Sequence, residues 1–194
     1  MKHAPFFLLK ARAEQIPLRD NSVSLVIATP PYLGVKRIPQ KDCCTQDPEQ
    51  YDALLARFLD EATRIVKPGG HILLHTDEWP AYSIRGSAQI VFQVFQKCVR
   101  RGLWAHRWVG SRTFRRRYRS VEGCRWAALP IRLYRDLVRG YSKPGEVVAH
   151  VFSGSGNGAI AALQSSRKPL LLDLHYHRQI KRRLNERIQR KPEG

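Results

Sequence analysis

The apolar run Val147-Val148-Ala149-His150-Val151-Phe152 passes directly into Ser153-Gly154-Ser155-Gly156-Asn157-Gly158 and then into the helical stretch Ala159 to Ser165. Buried strand, glycine turn, helix is the order this predicts. Glycines at such a turn let the backbone bend sharply and approach a ligand with no Cβ in the way. Fifteen residues beyond Gly158, the next apolar run, Pro169 to Leu172, ends in Asp173. A carboxylate at a strand end can accept hydrogen bonds from both ribose hydroxyls, so a nucleoside-containing ligand is implied. The alternative is a glycine turn that only packs a helix on a strand, and the acid at the strand end weighs against it.

A second stretch lies far away in the chain. Thr29-Pro30-Pro31-Tyr32 follows the apolar run Val23 to Ala28. Proline has no N–H and a set φ, and it holds the preceding residue extended, so this turn presents carbonyls stiffly with an aromatic face beside them. Taken alone, a Pro-Pro after a strand can equally be loop punctuation.

Between and around these stretches, strand and helix patterns alternate. Phe6 to Lys10 reads as a short strand, and Leu33 to Asp47 as a loop. A helix starting at Asp47-Pro48 carries Tyr51, Leu54, Leu55, Phe58, Leu59, Ala62 and Ile65 at helical spacing. Lys67-Pro68-Gly69-Gly70 is expected to end that helix and turn into a strand from His71 to His75. Further on, Ile84 to Arg101 reads as a helix, Leu103 to Gly110 as a strand, Arg112 to Arg125 as a basic loop and Pro130 to Arg139 as a helix. In the last helix Ile180, Leu184 and Ile188 form the buried stripe. Alternation of this kind predicts an α/β fold, a mainly parallel sheet with helices on both faces.

Taken in order, these segments resemble the S-adenosylmethionine-dependent amino-methyltransferases of DNA, in the permuted (beta-group) arrangement whose catalytic motif precedes the cofactor motif. Leu18 to Tyr32 is similar to that family's approach to its (Asp, Asn or Ser)-Pro-Pro-(Tyr or Phe) motif, and Glu61 to Leu74 to its helix, Lys-Pro-Gly-Gly turn and strand. Leu129-Pro130 and Tyr141 to Val148 are similar to the lead into its Asp-Pro-Phe-x-Gly-x-Gly motif. The resemblance covers most of the chain and implies a single Rossmann-like methyltransferase domain over 1–194. It implies catalytic roles for Thr29, Pro30, Pro31 and Tyr32, and S-adenosyl-L-methionine as cofactor. Cofactor contacts are implied from Phe152, Ser153, Gly154, Ser155, Gly156 and Asp173, and from His150, which stands where the family usually carries an Asp that helps hold the methionine end. Val151 replaces the usual Pro, Asn157-Gly158 replace small hydroxyl residues, and Thr29 keeps the hydroxyl of Ser, leaning toward cytosine N4 over adenine N6.

The implied chemistry needs little acid–base machinery. An exocyclic amine of a base is a poor nucleophile because its lone pair is delocalised into the ring. Acceptors around its hydrogens, here the Thr29 hydroxyl and the Pro30 carbonyl, favour a pyramidal nitrogen and stabilise the charge that develops on it. Tyr32 would stack on the extruded base, since a base inside a duplex cannot reach the methyl donor.

The formal charge of +18 and a pI near 10.4 call for a polyanionic partner, with DNA the natural candidate. From Lys97 to Arg139 there are thirteen Lys or Arg against two acids. Within that segment Arg112, Arg115, Arg116, Arg117 and Arg119 interleave with Phe114 and Tyr118, as suits a loop that grips phosphates. Residues 105–128 are therefore the expected DNA-recognition loop, against the alternative of a solvated face. The basic residues of the last helix, Arg183 among them, are expected on its exposed side.

Four cysteines, Cys43 and Cys44 adjacent and Cys98 and Cys124 scattered, with no metal-ligand spacing, predict reduced thiols and no metal, and no apolar run is long enough for a membrane span. A soluble cytoplasmic protein is the expectation; a homodimer and a cognate nuclease, as in restriction–modification, stay open. Two competing functions remain as well: a DNA-binding protein with a degenerate cofactor pocket, and an RNA methyltransferase of similar fold.

Overall fold

The computed structural model describes residues 6–30, 48–74 and 130–189. Five strands form one sheet: β1 (Phe7–Leu9), β2 (Val23–Ala28), β3 (Val66–Leu74), β4 (Val147–Val151) and β5 (Lys168–Leu172). Their spatial order is β1-β5-β4-β2-β3, and every adjacent pair is parallel. Four helices accompany them: α1 (Pro48–Ile65), α2 (Ile131–Tyr141), α3 (Asn157–Gln164) and α4 (His177–Gln189).

The period of two along each strand sends alternate side chains to opposite faces, and both faces are apolar. Val26, Ala28, Ala149, Val151, Leu170 and Leu172 pack with Tyr51, Leu55, Phe58, Leu59, Ala62 and Ile65 of α1. On the other face Leu25, Ile27 and Val148 pack with Leu133, Tyr134 and Val138 of α2 and Ala161 and Ala162 of α3. Leu171 packs with Ala159 and Ile160 of α3 and Ile180 and Leu184 of α4. The expected α/β architecture, a parallel sheet with helices on both faces, is what the chain forms.

Most expected elements lie within a residue or two of their positions, and β2 and α1 keep the expected limits. The turn after α1 differs. Lys67-Pro68-Gly69-Gly70 belongs to β3, which starts at Val66 rather than His71. Val23 pairs with Val66 and Leu25 with His71, so β3 spends five residues where β2 spends two, and the excess bulges into solvent at exposed Lys67, Pro68 and Gly69. The pairing of Val23 with Val66 captures the segment before the turn as strand. The elements expected at Ile84 to Arg101, Leu103 to Gly110 and Arg112 to Arg125, and the loop Leu33 to Asp47, lie outside the described residues.

The winding of the chain places the site. From β2 it passes through α1 to β3 on one side; from β4 it passes through α3 to β5 on the other. The direction reverses between β2 and β4. At such a switch point the loops leaving the two strands diverge to opposite faces and open a crevice at the carboxyl ends.

Candidate active site at the β2–β4 edge

Ala28 pairs with Val151, so Thr29 and Phe152 leave neighbouring strands side by side. The Thr29 N–H donates to the Val151 carbonyl at 3.4 Å, and its hydroxyl donates to the Phe152 carbonyl at 3.1 Å. The two motifs, 123 residues apart in sequence, thus meet through a direct hydrogen bond at the switch point. Thr29 is half-buried and Pro30 buried; Pro31 and Tyr32 lie outside the described residues.

Phe152 has φ +56. That region is uncommon for a bulky residue and costs energy, and such residues persist where the surroundings over-determine them. Here the ring stands edge-on to Phe58 of α1, with centroids 5.6 Å apart, while the carbonyl accepts from Thr29. Ser153 turns inward. Its hydroxyl faces the His150 and Leu172 carbonyls at 2.6 and 3.0 Å, and its N–H donates to the Leu172 carbonyl, so it stitches β4 to β5. Gly156, at φ +73, donates its N–H to the Ser153 carbonyl and begins α3.

Asp173 follows β5 and is 7% exposed. Its Oδ2 accepts the Gly154 N–H at 2.8 Å, and its Oδ1 accepts the His175 and Tyr176 N–H groups at 2.9 and 2.7 Å. A carboxylate has about four acceptor positions. Three are held by backbone, which leaves room for one further donor rather than the two ribose hydroxyls expected from the sequence. Asp173 therefore first shapes the glycine turn and the approach to α4. The turn is open at Gly154: a Cβ there would meet nothing within 4 Å except the Phe152 carbonyl oxygen at 3.9 Å.

His150 is 3% exposed, and its imidazole lies under Gly158 and edge-on to Tyr134 at 5.6 Å. Burial lowers its pKa to about 3, so the ring is neutral, and Nε2 has no hydrogen-bond partner. It occupies the space between β4 and the helices as an apolar filler would.

Two residues at the site escaped the sequence-based expectation. Tyr134 of α2 is buried beside Ile27 and lies edge-on to His150 of β4. Nothing but its place in the helical stripe with Leu133 and Val138 marks it in the sequence. Arg183, expected on an exposed face, bonds to the Ser155 carbonyl and, at 2.7 Å, to Asn157 Oδ1. Its position just before buried Leu184 was the available signal. Arg112, Arg115, Arg116, Arg117 and Arg119, and the whole of 105–128, lie outside the described residues. Among the described residues no group of His, Cys, Asp and Glu could hold a metal ion, and no helix is long and apolar enough to cross a membrane.

The fold defines a Rossmann-like α/β domain whose topological switch point falls between the non-consecutive strands β2 and β4. Solved structures share the architecture across nearly the whole chain. A candidate DNA modification methylase from Thermus thermophilus, TTHA0409, aligns with 96% of this chain and 97% of its own at 20% identity and a TM-score of 0.63, and its complex with S-adenosyl-L-methionine aligns at 0.62. The PvuII DNA methyltransferase, cytosine-N4-specific, covers 95% of this chain and 93% of its own at 13% identity and 0.56. M1.HpyAVI in complex with SAM covers 92% and 99% at 15% identity and 0.55. No protein-family profile matches the sequence, and no curated protein matches it significantly.

Proposed function

We propose that this protein is an S-adenosylmethionine-dependent methyltransferase acting on the exocyclic amino group of a DNA base. The observation that carries the proposal is the Thr29–Phe152 hydrogen bond, which joins the first residue after β2 to the first residue after β4. Fold neighbours support it: one is solved with S-adenosyl-L-methionine, another is a DNA methyltransferase specific for cytosine N4. The basic excess of the sequence supports a nucleic-acid substrate.

The nucleoside end of the cofactor suits the open turn at Gly154 and the one acceptor position left on Asp173. When bound, it supplies an electrophilic methyl group. Thr29 and Pro30 then orient the amine. Because the Thr29 proton is committed to Phe152, the hydroxyl offers only lone pairs to the amine hydrogens, which is the polarity this chemistry needs. Pro30 supplies the second acceptor, and Tyr32 stacks on the flipped base. Thr29 retains the hydroxyl of the Ser variant of the motif, so cytosine N4 is favoured slightly over adenine N6. The chain acts as one catalytic domain, with residues 105–128 as the DNA-recognition loop.

A second function has one specific observation in its favour. The neutral, buried His150 replaces a carboxylate that would help hold the methionine end, which fits a DNA-binding protein with a degenerate pocket. Calorimetry with S-adenosylmethionine, paired with tritiated-methyl transfer to duplex DNA, tRNA and rRNA, decides. Saturable heat and label in duplex DNA are expected. Thr29→Ala should cut transfer by about 100-fold or more while the cofactor heat persists. Absence of saturable heat would leave the degenerate pocket, and label in RNA alone would move the substrate class.

A further inference from the structure

Two glycines leave the turn after β4 free to take many shapes. Gly154 stands at φ +49 and Gly156 at φ +73, and glycine crosses between positive and negative φ at little cost. The backbone of the turn therefore does not fix its form; β5 and α4 do. Asp173, just after β5, accepts the Gly154 N–H at 2.8 Å. Ile180 and Leu184 of α4 close over Gly156, where a Cβ would come within 3.3 Å of Ile180 Cγ2. Arg183, on the same helix, donates to the Ser155 carbonyl and, at 2.7 Å, to Asn157 Oδ1. Asn157 is 5% exposed, and a guanidinium carries donors only, so the amide oxygen is the atom that must face it. A cation beside the first turn of a helix opposes the helix dipole, so this contact stands on its hydrogen bonds.

We propose that Arg183 is a positioning residue for the cofactor: its two-pronged hold on Ser155 and Asn157 keeps the glycine turn in the open form that receives S-adenosylmethionine. Asp173, Ile180 and Leu184 are buried and serve the core as well, whereas Arg183 is half-buried at the surface of α4 and can be changed without emptying the interior. Without its two bonds the turn samples other forms, and apparent affinity falls in proportion to the fraction that remains competent. The inference rests on the methyltransferase function proposed above.

Arg183→Met keeps an apolar stem and removes the donors. In the cofactor-free chain it should speed amide exchange across residues 153–158 while the strand Val147–Val151 stays protected. Calorimetry should show the Kd for S-adenosylmethionine raised by about tenfold. In turnover, KM for S-adenosylmethionine should rise by a similar factor with kcat and KM for DNA unchanged, a split that loss of stability alone does not give. Arg167→Met is the control. Arg167 makes a comparable set of bonds at the opposite end of α3, to the Ser142 hydroxyl at 3.2 Å, the Ser142 carbonyl and the Ser165 carbonyl, and its loss should leave that Kd as in wild type. A wild-type Kd in Arg183→Met, or an equal weakening in Arg167→Met, overturns the role of Arg183. A wild-type chain with no saturable heat overturns the parent function and the positioning role together, even where exchange in the turn responds to the substitution.

Discussion

A methyl group at residue 158 would overlap the His150 imidazole, so the glycine there is a condition for burying that ring under α3. Gly158→Ala should destabilise the fold by about 1–3 kcal/mol, as overpacking does, and adding His150→Ala should recover part of the loss. Urea unfolding of the single and double variants checks this. The same burial creates a pH dependence. In the folded chain His150 titrates at about 3, against 6.5 for an unperturbed histidine, so between those values the unfolded chain binds the extra proton. Stability contributed by the neutral ring is therefore complete above about pH 6.5 and falls as pH drops toward 3, by about 1.4 kcal/mol per unit inside that window. Replacing His150 by Gln should flatten that slope in unfolding curves measured from pH 7 to 4; an unchanged slope would mean the ring is solvated.

At the scale of elements, the approach to β2 is clamped onto α1. Arg64 grips Glu61 through Nε at 2.9 Å and Nη2 at 2.8 Å, and reaches the Ile16 and Leu18 carbonyls and Asp20 Oδ1. Glu61 in turn accepts the Ile16 N–H at 2.6 Å. The hydrogen bond from Arg64 is the main reason the Glu61 carboxyl sits below its usual pKa, helped by the Ile16 N–H and opposed by partial burial. This clamp sets where β2 begins and hence where Thr29 emerges at its far end. Arg64→Ala should cost about 1–3 kcal/mol, and Arg64→Lys should restore little, since an ammonium cannot make the planar two-pronged contact. Chemical denaturation of the two variants measures it, and full rescue by Lys would reduce the clamp to simple charge attraction.

For the molecule as a whole, the basic charge is what the proposed DNA partner would meet. Helices α2 and α4 flank α3 on one face of the sheet and expose Arg132, Arg139, Arg178, Lys181, Arg182 and Arg187 to solvent. With a net charge of +18, association with DNA should be strongly salt-dependent. Replacing Arg115, Arg116 and Arg117 together by Ala should weaken binding across DNA sequences and lower the slope of log affinity against log salt by roughly one unit per lost phosphate contact. Fluorescence anisotropy over a salt series reads this directly; an unchanged slope would place the cluster in bulk solvent.

Periodicity and turn chemistry were enough to locate β2, α1, α2, β4, α3 and β5 within a residue or two, because each element's apolar face is written locally. The glycine turn at Gly154 was legible for the same reason, since glycine acts on its own backbone. Three things were not local. The extension of β3 back to Val66 depends on pairing with Val23, a partner 43 residues away. Asp173 spends most of its acceptor capacity on the backbone of a turn that packing brings beside it. The edge-on packing of Tyr134 against His150 needs the sheet to be wound before α2 can lie across β4. The sequence by itself determined which segments are strand, helix and turn and how much positive charge they carry; only the tertiary structure decided which hydroxyls, carbonyls and carboxylates face one another, because those contacts exist only after remote strands have chosen their neighbours.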